Sequence, residues 1–385
     1  MEAIHRAPTD EMHARRILLI ADSCSAGETL RIVPYFMKVR ERYPNAHMTL
    51  LTNEDGLAGV THAGAFDRVV ISKLYVYRRC TRLRRYAAQV RESLRLMRLL
   101  GAGYDLVVTF YWGGLFLHLI AFAVSRGQRV GHADYTPFFS RWLLSSSLGP
   151  FIPLESHPPQ HMALLRAAGV AVETISGPNV SYAADDAVAV GRLLQAHALA
   201  GSPSLTLLHP GSDWACQQWL QERWAQLADE LVARCGADVV FTGTGSEAPY
   251  IDAIRHRMRR NSVSLAGQTT LPQLAALLRG AWLCVCVDSA IFELTQSTDT
   301  PAVVLAGSSR PETGVYGACQ PIVVRRMTAE LAGKITACRR RHTDLNETGC
   351  WNYECSMAGL RDISVADILA AVERLVRTGE LIARV

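Results

Sequence analysis

The chain has 385 residues, of which 49% are hydrophobic and 19% charged, with 28 glycines and 16 prolines. This composition is typical of a folded globular protein, and it excludes a disordered chain or a repetitive fibre. The length is greater than one hydrophobic core commonly spans, so we expect two domains. The formal net charge of +5 is small for this length, and much of it is local.

The N-terminal region gives no sign of a targeting or membrane segment. Residues 1–16 contain no apolar signal core, and the first apolar run, Ile17 to Ala21, is only as long as a strand. The most apolar stretch, Leu115 to Val124, is too short to cross a bilayer and contains His118. We therefore expect a cytoplasmic protein, while peripheral contact with the inner face of the inner membrane stays open.

In the first half, apolar runs rich in β-branched residues alternate with helical patterns, which is typical of parallel α/β units. The predicted strands are Arg16–Ala21, His47–Leu51, Arg68–Ile71, Asp105–Phe110 and Gln128–Gly131. The predicted helices lie near Thr29–Arg42, Leu83–Leu100, Gly114–Val124 and His161–Ala168, after a loop over Arg141–Pro159.

The segment Arg78 to Arg98 holds eight arginines against one glutamate. It has two interpretations: a solvated helix face, or a surface for an anionic acceptor or anionic lipid headgroups. Nucleic acid is not favoured as a partner, because no recognised binding motif accompanies the segment.

The second half repeats the same alternation after an irregular linker near residues 175–203. The predicted strands are Leu205–His209, Asp238–Thr242, Ser262–Leu265, Trp282–Val287 and Ala302–Leu305. The predicted helices are Glu222–Arg234, Ala248–Arg259, Leu271–Leu278, Ala290–Ser297 and a final helix, Val365–Val376, with Ser364 as its N-cap.

The ten cysteines agree with a reducing, cytoplasmic environment. Most are scattered without disulfide-like spacing, and only Cys338, Cys350 and Cys355 cluster. This cluster has neither CxxC spacing nor a close histidine pair. We expect no metal site and no cofactor, although the capacity of the cluster to bind a metal stays open.

Strand-to-helix turns concentrate the candidate functional residues, because ligands of open α/β sheets bind at the carboxyl ends of strands. In the first turn, residues 21–34, Gly27 permits a tight turn and Glu28 stands at the start of a helix. The helix dipole favours an ionised carboxylate there. A capping role for Glu28 is the alternative interpretation.

Three turns of the second half have the features of a nucleotide site. Gly211 and Ser212 lie where backbone amides can bind an anion, and Glu247, after Gly243, suits the two hydroxyls of a ribose. Asp288, Ser289 and Ala290 lead from a buried strand into a helix, and the next strand ends at Gly307 to Arg310. Backbone amides at these last two turns could hold a diphosphate.

In this order, these turns and their elements resemble glycosyltransferase family 9, the ADP-heptose heptosyltransferases of lipopolysaccharide core assembly and their relatives. The resemblance is carried by GETLRIVPYFMKVRERYPNAHMTLLT, HPGSDW, the GxxSE-type turn, LAGQTTLPQLAALLRGAWLCVCVDSA and the tail CSMAGLRDISVADILAAVERL. It implies an α/β fold of the GT-B type, with two Rossmann-like domains facing each other across a cleft. The implied domains are an acceptor-binding domain, a linker, a nucleotide-sugar-binding domain and a closing helix, over residues 1–175, 176–203, 204–362 and 363–385.

The family also implies an inverting transfer without an obligatory metal. Glu28 stands where the family has an aspartate that takes the proton from the acceptor hydroxyl. Glu247 matches the acid that binds the ribose, and Asp288 and Ser289 match the start of the diphosphate turn. The resemblance implies that a heptose passes from an ADP-linked donor to a hydroxyl of a glycan, lipopolysaccharide-core or natural-product acceptor.

The chain departs from the family pattern at the phosphate end of the site. Ala290 and Glu293 stand where the family usually has Gly and His, and Gln217 stands where it usually has a Lys. A carboxylate near a diphosphate is unfavourable unless a cation intervenes. Arg310 is the candidate cation, either by pairing with Glu293 or by binding phosphate directly.

Three interpretations stay open: a rearranged active enzyme, an enzyme with another donor, and a family member that has lost catalysis and acts as a GT-B scaffold or sugar-binding subunit. A nicotinamide-dependent dehydrogenase is not favoured, because the first loop reads DSCSAGET and lacks GxGxxG. The predicted donor-binding residues are Gly211, Ser212, Gln217, Gly243, Glu247, Asp288, Ser289, Ala290, Glu293 and Arg310. The predicted acceptor-binding residues are Gly27, Tyr111, Trp112, His132 and Asp134. Tyr111 and Trp112 could stack on an acceptor sugar or pack in the core, and His132 and Asp134 could line the acceptor site or belong to a surface turn.

Overall fold

The structure is a computed structural model that describes most of the chain. The described residues are 14–22, 25–60, 64–74, 82–111, 114–133, 142–149, 157–175, 177–178, 180, 182–212, 217–307, 321–326 and 359–378. Three predicted site residues, Trp112, Asp134 and Arg310, lie outside them, as do Cys338, Cys350 and Cys355.

Two six-stranded parallel sheets form the framework. The first has the order β3-β2-β1-β4-β5-β6, with β1 Arg16–Ala21, β2 His47–Thr52, β3 Arg68–Ile71, β4 Tyr104–Thr109, β5 Ser125–His132 and β6 Ser146–Leu148. The second has the order β12-β11-β10-β7-β8-β9, with β7 Leu205–His209, β8 Asp238–Phe241, β9 Val263–Ser264, β10 Leu283–Val287, β11 Ala302–Ala306 and β12 Ile322–Arg325.

Helices cover the sheets and connect their strands. In the first half they are α1 Ala26–Arg42, α2 Glu54–Val60, α3 Arg82–Leu100, α4 Gly114–Val124 and α5 His157–Ala167. In the second half they are α6 Ala184–Ala196, α7 Gln221–Cys235, α8 Ala248–Arg255, α9 Leu271–Arg279, α10 Ala290–Ser297 and α11 Val365–Arg377. None of these helices is long and apolar enough to cross a membrane.

The central strands are buried on both faces, as expected of parallel sheets between helices. Along β1, Ile17 and Leu19 belong to one hydrophobic cluster, and Leu18 and Ile20 belong to another on the opposite face. The residues of β10 divide in the same way between the two clusters of the second sheet. Leu30 of α1 lies in one of the latter clusters, so a helix of the first half packs into the core of the second.

The predicted irregular linker contains a helix, α6, so that prediction was wrong. Val190 and Leu194 of α6 are four residues apart and pack into the cluster of the second sheet, against α9. The Gly-Pro pair at residues 177–178 is typical of irregular structure, but it does not extend to the helix that follows, which tertiary contacts stabilise.

The predicted loop over Arg141–Pro159 is also interrupted. Ser146–Leu148 pairs with β5 as an edge strand, and α5 begins at His157, four residues before its predicted start. Pro158 and Pro159 fit the first turn of α5, because the N–H groups of that turn have no partner within the helix. The structure also contains α2 and β12, which the sequence pattern did not predict.

Candidate active site

The first turn of α1 presents Glu28 at the carboxyl end of β1. The Oε2 atom of Glu28 accepts a hydrogen bond of 2.8 Å from the Ser25 backbone N–H, and the Glu28 N–H donates to Ser25 Oγ over 3.3 Å. This capping box means that the predicted cap and the predicted base are the same side chain. Burial raises the pKa of Glu28, although Ser25 and Arg31 lower it.

The two halves of the molecule touch at the first turns of α1 and α10. A methyl group built on Gly27 would lie 3.0 Å from the Ala290 Cα, so a larger residue at this position would crowd the α10 backbone. Gly27 and Ala290 were predicted on the acceptor and donor sides of a cleft, and the structure brings their backbones into contact. The predicted base therefore lies next to the predicted diphosphate turn.

One helical turn further along α1, Arg31 forms a buried ion pair with Glu293 of α10. The Arg31 Nε donates to Glu293 Oε1 over 2.9 Å, and a second guanidinium nitrogen also contacts this oxygen. The side chains are 11% and 1% exposed. Burial raises the pKa of Glu293, and Asp288 and Glu28 raise it further, while Arg31 opposes them. Glu293 thus has a cationic partner in the opposite half, which the sequence did not reveal.

The same guanidinium reaches a cluster of aromatic and histidine side chains in the first half. The Arg31 Nη1 lies 2.8 Å from His157 Nδ1 at the start of α5. Because a guanidinium only donates, this ring nitrogen must accept. The rings of His157 and His161 both make edge-to-face contacts with Tyr111. Sequence reasoning missed these two histidines, and no spacing in the sequence would have found them.

Tyr111 holds the first turn of α1 through a hydrogen bond to the Glu28 backbone. Its hydroxyl donates to the Glu28 carbonyl oxygen over 3.0 Å, and its side chain is buried, with 1% of the residue exposed. Its φ of +52° is in the left-handed region, which a bulky residue adopts only under constraint. The structure leaves no open face of Tyr111 for the predicted acceptor stacking. His132, also predicted on the acceptor side, is buried, and its Nδ1 lies 2.9 Å from the Gly149 carbonyl oxygen.

Glu247 is held at the carboxyl ends of β7 and β8. Its Oε2 accepts hydrogen bonds from the Thr244 N–H over 2.7 Å and from the Thr244 hydroxyl over 2.9 Å. A methyl group on Gly211 would lie 2.1 Å from Oε1, and one on Gly243 would lie 3.0 Å from Oε2. The structure therefore brings together three predicted donor residues, and the two glycines leave the space that the carboxylate occupies.

The remaining donor residues lie at two neighbouring turns. The Ser212 hydroxyl donates to Gln217 Oε1 over 2.7 Å. Ser289 is the N-cap residue of α10, and its Oγ is buried without a hydrogen-bond partner among the described residues. Asp288, one residue earlier, is close enough to raise the pKa of both Glu28 and Glu293. Most carboxylates predicted to act in the site are thus gathered where the two halves meet.

The chain is similar in sequence to known glycosyltransferases. A family model described as glycosyltransferase family 9 (heptosyltransferase) matches residues 95–345. Lipopolysaccharide heptosyltransferase 1 of Pseudomonas aeruginosa is 32% identical over 126 residues, which span 31% of the chain and 33% of that protein.

Two solved structures share the fold. A family 9 glycosyltransferase from Veillonella parvula superposes with a TM-score of 0.70 at 18% identity, over 94% of the chain and 97% of that protein. The E. coli ADP-heptose lipopolysaccharide heptosyltransferase II superposes with a TM-score of 0.66 at 17% identity, over 95% and 99%. The predicted α/β fold of the GT-B type is confirmed.

Proposed function

The chain belongs to glycosyltransferase family 9, and from this membership we propose that it transfers a heptose from ADP-heptose to a hydroxyl of a lipopolysaccharide core. Its relatives support this substrate class, since they are lipopolysaccharide and ADP-heptose heptosyltransferases. We propose residues 1–175 as the acceptor domain and residues 204–362 as the donor domain. Residues 176–203 connect them, and residues 363–385 close the chain.

The observation that carries the proposal is the position of Glu28 beside the α10 turn. Glu28 takes the proton of the acceptor hydroxyl while that oxygen forms a bond to the anomeric carbon. The bond between this carbon and the diphosphate oxygen breaks on the opposite face, and the diphosphate leaves with the electron pair. The configuration of the anomeric carbon is therefore inverted.

The donor is held by the second half. Glu247 accepts hydrogen bonds from the ribose hydroxyls, and the backbone N–H groups and Ser289 at the start of α10 receive the diphosphate. The buried Ser289 hydroxyl supports this assignment, because no described residue satisfies it. In this scheme backbone dipoles, and not a metal, stabilise the leaving group.

The acceptor side faces a membrane through one surface of α3. Tyr86, Val90 and Leu94 follow at helical spacing and are 50%, 49% and 49% exposed. The exposed arginines Arg84, Arg91, Arg95 and Arg98 form the adjacent stripe. We call these seven residues the α3 surface. Exposed apolar side chains beside a row of cations fit a bilayer with anionic headgroups, where a lipid-linked acceptor would lie.

A basic pocket adjoins the α3 surface. It is lined by Lys73, Arg91, Glu92, Leu94, Arg95, Arg98 and Leu99. The carboxylate of Glu92 is buried and already paired with Arg95 at 2.5 Å, so it does not cancel the other three cations. The pocket is suited to a phosphate-bearing headgroup or core sugar.

The test is an assay with ADP-, UDP- and GDP-linked sugars and a heptose-deficient lipopolysaccharide acceptor. Release of ADP together with transfer of heptose supports the proposal, and Glu28→Gln should abolish turnover while ADP affinity measured by calorimetry stays within about threefold. Retained turnover in that variant would remove Glu28 from the role of base.

A second candidate function is a non-catalytic sugar-binding subunit. Gln217 and Glu293 favour it, because both replace cationic family residues at the leaving diphosphate. Binding of ADP-heptose without turnover, even with the acceptor present, would establish this function in place of the first.

A further inference from the structure

The Arg31–Glu293 ion pair joins the two halves at the level of Glu28. Arg31 follows Glu28 by three residues on α1, and Glu293 follows Ala290 by three residues on α10. The Gly27–Ala290 contact lies on one side of Glu28 along α1, and the ion pair lies on the other. The base is thus fixed between two contacts with the donor half.

We propose that Arg31 and Glu293 are positioning residues, which together hold Glu28 at a fixed distance from the diphosphate turn of α10. The inference rests on the proposed function and deepens it. In an inverting transfer the base and the leaving group lie on opposite sides of one carbon, so their separation is constrained. A displacement on the order of 1 Å can lower the rate by about a hundredfold.

The burial of the pair argues for a constrained geometry. The Glu293 carboxylate is 1% exposed, and its second oxygen accepts a hydrogen bond of 3.3 Å from Gln296 Nε2. Arg31 also contacts His157, which α5 holds in the first half. Removal of either partner would leave a buried charge without its counter-ion, which is strongly destabilising. Each side chain therefore depends on the other for its position.

The pair also sets the charge around the base. Among the described residues, the ionisable groups close to Glu28 include Arg31 on its own helix, Asp288 and Glu293 on the facing turn and helix, and Tyr111, whose hydroxyl donates to the Glu28 carbonyl oxygen. Arg31 stabilises the charged form of Glu28, while the two carboxylates disfavour it. Loss of Arg31 and loss of Glu293 should therefore move the protonation of Glu28 in opposite directions.

The experiment compares Arg31→Met and Glu293→Gln with Lys38→Met, a control on the same helix. Lys38 pairs with Glu41 at 2.7 Å, and both side chains are at least a third exposed. With ADP-heptose as donor, we expect kcat to fall roughly tenfold or more in both test variants, with the donor KM within about threefold. The control should match the wild type.

The pH profile separates positioning from a purely structural role. The acid limb of kcat/KM reports the protonation of the base. It should move to higher pH in Arg31→Met and to lower pH in Glu293→Gln. The reversed pair, Arg31→Glu with Glu293→Arg, should recover at least about fivefold in kcat over Arg31→Glu alone.

A last measurement does not depend on turnover. Hydrogen exchange of the amides in residues 26–32 and 290–296 should accelerate in the two test variants and not in Lys38→Met. If the wild type transfers no sugar, the proposed function fails, and this arm still decides whether the pair joins the halves. Unchanged kcat, an unmoved acid limb, or a tenfold loss of ADP affinity at full kcat would each overturn the proposal; the last would make Arg31 a phosphate ligand.

Discussion

The Glu247 carboxylate occupies space that side chains at Gly211 and Gly243 would fill. Gly211→Ala would place a methyl group 2.1 Å from its Oε1, so the carboxylate must leave the position proposed for the ribose. We expect ADP affinity, measured by calorimetry, to fall at least about tenfold, because the hydrogen bonds to the ribose are lost.

Gly191→Ala is the matched control for this change. Gly191 lies within α6, and a methyl group built there would meet nothing within 4 Å apart from its chain neighbours and its own helix backbone. This variant should bind ADP as the wild type does and gain about 0.5–1 kcal/mol in unfolding free energy, since glycine is unfavourable within helices. Equal ADP affinity of the two variants would contradict the assignment of Glu247.

His118 makes the stability of the first half sensitive to acid. It is 0% exposed in α4, and neither ring nitrogen has a hydrogen-bond partner among the described residues. Burial lowers the pKa of His118 to about 4 from its usual 6.5. Between these values the unfolded chain binds a proton that the folded chain does not, so the unfolding free energy falls as the pH falls.

The variant His118→Leu should lose this dependence. Between about pH 7.5 and about pH 5, the wild type should lose about 2 kcal/mol more unfolding free energy than the variant. Urea unfolding at both pH values measures the difference. Parallel losses in the two proteins would show that His118 does not titrate with unfolding.

Among individual residues, the sequence indicated candidates directly after strands. It did not indicate residues whose partners lie in the other half of the molecule. Glu28, Gly211 and Glu247 were predictable because parallel strands bring their carboxyl ends to one edge of a sheet. Arg31 was not, because its partner is 262 residues away and many arginines of the chain could have served. The anomalous Glu293 indicated that a cation was needed, and sequence reasoning named Arg310, which lies outside the described residues, and not Arg31.

Among the elements, α3 carries a prediction about the membrane. The protein should bind vesicles that contain phosphatidylglycerol and should not bind vesicles of phosphatidylcholine alone, because the α3 surface needs anionic headgroups. Leu94→Asp should weaken this binding roughly fivefold or more, since it places a charge in the apolar stripe. Co-sedimentation measures both effects.

The control for α3 is Val188→Asp. Val188 is 51% exposed on α6, in the other half of the molecule, and should leave vesicle binding unchanged. Equal loss in the two variants, or equal binding to both kinds of vesicle, would remove the α3 surface from a membrane role.

Periodicity predicted α10 to the residue and α3 to within one residue. It failed for α6 and β6, which depend on partners elsewhere in the chain. Val190 and Leu194 pack against α9. The three-residue edge strand β6 is defined by its pairing with β5 and not by a pattern of its own. Such short or exposed elements are fixed by tertiary contacts, which one sequence does not display.

For the whole molecule, the contacts between α1 and α10 join the two halves directly. A compact chain of this length has a radius of gyration of about 21 Å. We expect the radius of gyration from small-angle scattering to change by less than about 1 Å when ADP is added to the wild type, because the halves are already in contact. The radius of gyration of Arg31→Met should exceed that of the wild type without ADP and should decrease when ADP is added.

A contraction of the wild type equal to that of Arg31→Met would contradict this expectation. It would mean that the ion pair forms only with the donor bound. The two-sheet architecture itself was predictable from the alternation of strands and helices. The contact between the two halves was not, because it depends on Gly27 of α1 and Ala290 of α10 approaching to within van der Waals distance.

The Gly27–Ala290 contact has a consequence for the timing of each reaction cycle. In the proposed mechanism, two halves that touch beside the diphosphate turn separate to admit the nucleotide sugar, and again to release the nucleotide. Association should then be slower than the usual diffusive encounter of a small molecule with an open groove. Opening, and not bond exchange, would limit steady turnover, so that a burst of product in the first cycle would precede a slower rate set by departure of the nucleotide.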